Sequence, residues 1–215
     1  MRRTIIIGDV HGCLDELKDL LAQVSASPED RLICAGDLIG KGPDPRGVLE
    51  WAMAAKNLQC VQGNHEIRLL SYWKKLAAPD EKPFDLETFR RLGPDFDRYM
   101  RFIESWPLYV IGKDHVVVHA GFDPRHGPLE HQSPWQLANI RRIGENGTPW
   151  YELYQLRKLV VFGHWSRREP LIRENSICID TGCVHGGFLS ALILPERRIV
   201  SVPARKIYRS KQLWN

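Results

Sequence analysis

Five short polar clusters carry the residue types from which a metal centre is built. They are GDVHG (Gly8 to Gly12), GDLIGKG (Gly36 to Gly42), GNHE (Gly63 to Glu66), HAG (His119 to Gly121) and GHW (Gly163 to Trp165). Taken singly each is a weak signal. A Gly-Asp pair is a common turn, an Asp after a strand is most often a helix cap, and a lone His is most often a satisfied core or surface residue. Their coincidence is harder to dismiss. Each cluster follows or ends an apolar run, four histidines and two aspartates gather in them, and small glycines alongside allow close approach of backbone and ligand. The donors offered are carboxylate, imidazole and amide oxygen, with no thiolate. That mixture suits manganese, iron or zinc better than calcium or a structural zinc. No Ser or Cys stands in a nucleophile-elbow context. Cys13 stands at the start of an amphipathic helix, but a thiolate nucleophile is not expected there, because the surrounding pattern already has a complete explanation.

The elements that must position these clusters are legible from periodicity. Arg3 to Val10, Arg31 to Ala35 and Leu58 to Gln62 read as buried strands, each handing over to polar residues at its carboxyl end. Between them, Leu14, Leu17, Leu21 and Val24 mark one helical face, and Val48, Trp51, Ala52 and Ala55 another beyond the Pro43 to Pro45 break. Alternating strand and helix predicts a parallel α/β core, in which ligands gather beyond the carboxyl ends of the strands. Residues 71–105 are charged and helical, with Phe96, Tyr99, Met100 and Ile103 on one face. They are expected to form a helical excursion over one edge of the site, within a single domain spanning 1–215. Further strands are expected at Leu108 to Ile111, His115 to Val118, Leu159 to Phe162, Ser176 to Ile179, Phe188 to Leu194 and Arg198 to Val202.

Composition narrows the class. With 215 residues and 43% hydrophobic content the chain can build a sizeable core unaided. Its five cysteines are odd in number and form no CxxC pair, so buried thiols in a reducing cytoplasm are expected. The apolar run after Arg2 and Arg3 is too short for a signal peptide, and no stretch approaches a membrane span. A net charge of +4 fits an enzyme for anionic substrates without demanding nucleic acid. The cationic stretch from Arg197 to Lys211 raises the option of a nucleic-acid end-processing phosphatase. It lacks the interleaved aromatics of single-strand platforms, so nucleic acid is not expected as a partner.

In this order and at these intervals, the five clusters resemble the metallophosphoesterases of the PPP phosphatase type, within the calcineurin-like superfamily. The resemblance is greatest to short bacterial and phage serine/threonine phosphatases and to symmetrical diadenosine tetraphosphate hydrolases. It runs from Ile5 to about Pro195 and includes DTGCVHGG (Asp180 to Gly187). It implies two mixed β-sheets packed face to face with helices outside, a four-layer α/β/β/α sandwich. It further implies two divalent metals, manganese foremost, with Asp9 and His11 on the first, Asp37 bridging, and Asn64, His119 and His164 on the second. His65 would be the general acid in attack by a dimetal-bound hydroxide on phosphorus.

Two departures bear on the substrate. In the second motif the phosphatases carry GDxVDRG; here Gly40 replaces the Asp that supports the general acid, and Lys41 replaces the Arg. Lys41 and Arg141 are the expected phosphate-binding cations, and His185 is expected to face the substrate pocket. Gly40 leans towards a tetraphosphatase, whose leaving group needs less help. GNHE, the segment HAGFDPRHGPLEHQSPW and the chain length lean towards a phosphatase. The reading this favours is a serine/threonine protein phosphatase acting on a phosphorylated protein. The alternative is a bis(5'-nucleosyl)-tetraphosphatase acting on a dinucleoside polyphosphate. A metal-binding scaffold without turnover is a further option, opposed by the completeness of the hydrolytic set.

Overall fold

A computed structural model describes residues 3–76 and 83–210. The first three strands are β1 (Thr4–Ile7), β2 (Arg31–Cys34) and β3 (Leu58–Cys60). They run parallel, with Thr4 opposite Arg31 and Leu32 opposite Leu58. Helices α1 (Leu14–Gln23) and α2 (Pro45–Ala54) make the crossovers. The start of α2 is fixed by Pro45 in its first turn and by Asp44, whose side chain accepts from the Gly47 N–H at 2.7 Å. The sheet is completed by β11 (Phe188–Leu194), antiparallel to β1, and β12 (Arg198–Pro203), in the order β12-β11-β1-β2-β3.

The second sheet has the order β4-β5-β8-β10-β9. Its centre is β5 (His115–Val118), β8 (Leu159–Phe162) and β10 (Ser176–Cys178), all parallel. The edges are β4 (Tyr109–Ile111) and β9 (Leu171–Ile172), both antiparallel to their neighbours. Between β5 and β8 lie α6 (Pro134–Asn139), a two-stranded ribbon of β6 (Arg142–Ile143) and β7 (Thr148–Pro149), and α7 (Trp150–Leu153). Periodicity missed these short pieces and β9, each of which offers too few residues to show a pattern. The core is also less uniformly parallel than strand–helix alternation predicts, because β11 runs against both of its neighbours, β1 and β12, and both edges of the second sheet run against theirs.

The period-two rule explains how the layers stack. Ile5 and Ile7 point to the helical side of the first sheet, where they join Leu17, Leu20, Val48, Leu49, Tyr99 and Ile103. Ile6 points the other way, into a layer shared with Ile33, Val61, Val117, Val161, Ile177 and Leu192 from both sheets. The outer face of the second sheet is covered by Leu137, Ile143, Trp150, Tyr151 and Tyr154. Strands buried on both faces therefore read as unbroken apolar runs. The result is the four-layer arrangement of helices, sheet, sheet and helices. In the 71–105 region, α3 (Asn64–Trp73) ends, and α4 (Pro83–Leu92) and α5 (Phe96–Glu104) follow. The face of α5 expected to be apolar, Phe96, Tyr99, Met100 and Ile103, is buried within the first sheet's helical core. Part of the expected excursion, residues 77–82, lies outside the described residues.

At the foot of the first sheet Arg3 closes a two-pronged pair on Asp30, with Nε 2.8 Å from Oδ1 and Nη2 2.6 Å from Oδ2. Asp30 Oδ2 also accepts from the Ser27 N–H at 2.8 Å. The Arg3 hydrogen bonds hold its carboxyl down at about 2 despite burial. Because the folded value lies below the unfolded one of about 3.9, the stabilisation is complete above about pH 4. It is lost as pH falls towards 2. Asp30→Asn should therefore cost about 1–2 kcal/mol at pH 7, discounted for solvent reaching Arg3. Urea titrations at intervals between pH 7 and pH 2.5 should show the gap between wild type and variant closing; a constant gap would sink the assignment.

Candidate metal centre

Every residue singled out by the motifs lies beyond the carboxyl end of a parallel strand. Asp9 and His11 follow β1, Asp37 follows β2, and Asn64 and His65 open α3 after β3. His119 follows β5 and His164 follows β8 in the opposite sheet. The two sheets thus present their carboxyl ends to one place. Holding the side chains there strains the backbone. His11, Asp37, Lys41 and His164 all have positive φ, at 48°, 49°, 39° and 61°. Non-glycine residues adopt that region at a cost and only where surroundings impose it. The imposition is visible: the His11 N–H donates to Asp37 O at 2.8 Å, and the His164 N–H donates to the Asp9 carboxylate at 3.1 Å. Gly163 permits the second contact, since a Cβ there would lie 1.9 Å from Asp9 Oδ1.

Asp37 is the hub. Its Oδ1 accepts from the His65 N–H at 3.1 Å. Its Oδ2 lies 3.6 Å from His11 Nε2, 3.4 Å from His119 Nε2 and 3.9 Å from His65 Nε2. Ring orientations follow from carbonyl partners, which can only accept. His11 Nδ1–H donates to Ile39 O at 3.1 Å and His119 Nδ1–H to Ala35 O at 2.9 Å, so both turn Nε2 towards Asp37. Asn64 Oδ1 stands 3.1 Å from His119 Nε2 and 2.9 Å from His164 Nδ1. An amide nitrogen placed there would also find partners. The oxygen can accept from the Nε2–H of a protonated His119, and it is the atom a cation would require.

The electrostatics show a site built for positive charge. Burial raises the Asp9 carboxyl well above the usual range, and the neighbouring Asp180 carboxylate adds to the shift. Burial opposes ionisation of Asp37 too, but His119 and His65 beside it hold its carboxyl well below that range. Burial alone would keep His119 neutral, yet Asp37 and Asp9 overcome it and lift the imidazole to about 10. His11 is pushed down to about 3 by burial and by Lys41. Lys41 Nζ sits 3.1 Å from His11 Nε2 and donates to it, so an ammonium already engages that lone pair. His164 and His65 are also held well below their usual value, chiefly by burial. Buried repelling carboxylates and inward-turned ring nitrogens, with a cation already drawn to one of them, fit a pair of divalent ions.

The remaining expected residues are also present. A cavity of about 460 Å³ is lined by Asp9, His11, Asp37, Asn64, His65 and His164 together with Lys41, Arg141 and His185. Arg141 Nη2 donates to His164 O at 3.0 Å, and His185 Nδ1 lies 2.8 Å from Arg209 O. Four residues that line or support the site were given no role there from the sequence. Glu66 is fully buried and accepts from the N–H groups of Asp37 (2.9 Å), Ile39 (3.2 Å) and Gly63 (2.9 Å). Burial beside Asp37 raises its carboxyl to about 7. Its place three residues into a helix is the usual capping position and was a readable signal. Arg68, Trp135 and Asp180 line the same cavity. Trp135 and Asn139 are four apart on α6, a spacing that puts them on one face and leads to Arg141.

Loading the metal-free protein with Mn2+ at pH 7 should release at least one proton per chain, because His119 is protonated there and must give up Nε2–H to bind. Affinity should accordingly climb with pH towards 10. Calorimetry in buffers of different ionisation enthalpy would reveal the release; uptake of two ions with none released would remove His119 from the ligand set.

Comparison with known proteins agrees with this geometry. A symmetrical bis(5'-nucleosyl)-tetraphosphatase of Vibrio campbellii is 27% identical, over 94% of this chain and 98% of that protein. A solved structure described provisionally as a diadenosine tetraphosphatase superposes with a TM-score of 0.82 at 32% identity, over 94% of each chain. A protein serine/threonine phosphatase from Saccharomyces cerevisiae shares the fold at a TM-score of 0.65 and 15% identity, over 95% of this chain and 80% of that one. Residues 2–185 match the calcineurin-like phosphoesterases, and the chain belongs to that metal-dependent hydrolase family.

Proposed function

We propose that this hydrolase is a symmetrical bis(5'-nucleosyl)-tetraphosphatase, cleaving a dinucleoside tetraphosphate into two nucleoside diphosphates. The observation that carries the reading is Trp135, whose indole is 66% exposed while lining the same cavity as the metal-centre residues. A flat aromatic at the mouth of a phosphate-binding cavity suits a nucleobase, which stacks with a gain of about 1–3 kcal/mol. The relatives named for this activity, similar across nearly the whole chain, support the same choice. One feature favouring a serine/threonine phosphatase has a structural explanation. Glu66, which makes the third motif GNHE, is fully buried and spends its carboxylate on three backbone N–H groups.

In this reading Asp9 and His11 would hold one divalent ion, Asn64, His119 and His164 would hold the other, and Asp37 would serve both, with manganese the expected metal. Such ions supply Lewis acidity and a water of lowered pKa. The chain's own groups do the rest. Lys41 and Arg141 place positive charge against the phosphate oxygens as negative charge builds there. His65 faces the cavity and passes a proton to the departing oxygen. That oxygen belongs to a nucleoside diphosphate, a good leaving group, so proton transfer contributes less than it would for a serine ester. All five cysteines are buried free thiols, which accords with a reducing cytoplasm, where such dinucleotides would be met. Among the described residues no helix is long and apolar enough to cross a membrane.

Metal-stripped protein reloaded with Mn2+ should cleave diadenosine tetraphosphate to ADP, and release far less phosphate from a phosphoserine or phosphothreonine peptide. Turnover of the peptide alone would return the serine/threonine phosphatase reading. Trp135→Ala should raise KM for the dinucleotide about tenfold, matching the stacking energy, with kcat and the KM for an aryl phosphate little changed. Asp37→Asn should lose both metal and turnover; a variant with two bound ions and wild-type rates would show that Asp37 does not bridge.

A further inference from the structure

His65 needs a partner at Nδ1 if its ring is to stay aligned, and position 40 cannot provide one. A Cβ at Gly40 would lie 2.3 Å from His65 Nδ1, and the backbone there has φ of +91°. The loop thus passes directly beneath the ring and leaves room for nothing larger than glycine. A different carboxylate approaches the same nitrogen. Asp85, buried in the first turn of α4, has Oδ1 4.0 Å from His65 Nδ1. The opposite ring nitrogen, Nε2, faces the cavity, 3.9 Å from Asp37 Oδ2. The imidazole is therefore strung between two carboxylates, one at the metal centre and one behind it.

Asp85 is itself held in place. Arg68, one turn beyond Asn64 on α3, donates from Nε to Oδ2 at 3.0 Å and from Nη2 to Oδ1 at 3.2 Å. Helix α4 is tied to the loop carrying Gly40 by Arg91, whose Nη1 donates to Gly42 O at 2.8 Å and also to Pro43 O. One helix thus supplies Asn64, His65 and the clamp, and the helix bearing Asp85 is fastened to the loop beneath the ring.

We propose that Asp85 is the positioning residue for His65: it accepts Nδ1–H, fixes the ring plane, and so keeps Nε2 on the substrate side. The inference rests on the reading of His65 as proton donor. In the step it serves, the oxygen of water bonds to phosphorus and the bond from phosphorus to the leaving oxygen breaks. The proton given up by the attacking water reaches Nε2 and passes on to the leaving oxygen, while the Nδ1 proton stays on the ring, directed at Asp85. The 4.0 Å separation is longer than a hydrogen bond, and contacts of this kind commonly shorten when substrate is bound. A purely structural Asp85, serving only to pair with Arg68, is the rival.

The test uses the full chain loaded with Mn2+ and a series of aryl phosphates whose leaving groups span about 4 to 10 in pKa. Asp85→Asn preserves shape and can still accept from Arg68. It should lower kcat about tenfold or more for the poorest leaving groups and little for the best, with KM and bound metal unchanged. His65→Asn should show the same steepened dependence, and the double variant should be no slower than His65→Asn alone. Asp85→Glu, which keeps the charge but shifts the oxygen, should fall between wild type and Asp85→Asn. Equal slowing across the series, or effects that add in full in the double variant, would overturn the proposal. Because the series contains no nucleotide, failure to cleave diadenosine tetraphosphate would count against the substrate reading and leave this result standing.

Discussion

Burying the Asp37 carboxylate is the act around which the rest of the site is arranged. A lone charge of that kind is expensive away from water, and its tolerance depends on what is brought to meet it. Three ring nitrogens approach Oδ2 between 3.4 and 3.9 Å, and the His65 N–H closes on Oδ1. The loop that carries it is held from behind by Glu66, which gathers three N–H groups that would otherwise point into the core. The positive φ at Asp37 and His11 and the raised carboxyl of Asp9 are tolerated because this cluster is designed for company of opposite charge.

Seen this way, the strand–helix alternation is a delivery system. Parallel strands bring their carboxyl ends to one edge, and each of five strands contributes a motif side chain from the one to four residues that follow it. Two sheets are needed because a single sheet would spread five such ends along a line. Packed face to face, they close the donors around a cavity. The distance between the sheets is set by Ile6, Ile33, Val61, Val117, Val161 and Ile177, a layer of aliphatic side chains.

Much of this was legible in the sequence. The strands before Asp9, Asp37, His119 and His164 are unbroken apolar runs because they are buried on both faces, and every motif residue lies where those runs predict. What was hidden falls into two kinds. Short elements such as α6, α7, β6, β7 and β9 hold too few residues for a period to show, so the face joining Trp135 to Arg141 could not be seen. Contacts across long stretches of chain left no local trace: Asp85 meets His65 from twenty residues away, and nothing in the pattern around Phe84 to Thr88 announces it. The role of Glu66 was hidden for a related reason. A motif letter does not say whether its side chain faces the ligand or the backbone, and here it faces the backbone.

The division of the centre between two sheets has a mechanical side. Asp9 from one sheet accepts the backbone N–H of His164 from the other, and Asp37 meets His119 across the same gap. Any sliding of the sheets past each other would shear these pairs by the same amount, so the greasy layer between them acts as the gauge block of the reaction. Substitutions in the outer helical layers can be absorbed by a shifted helix, whereas a methyl group gained or lost at Ile33 or Val161 alters the gap itself. Tolerance to change should therefore be lowest in a stratum that contains no polar chemistry at all.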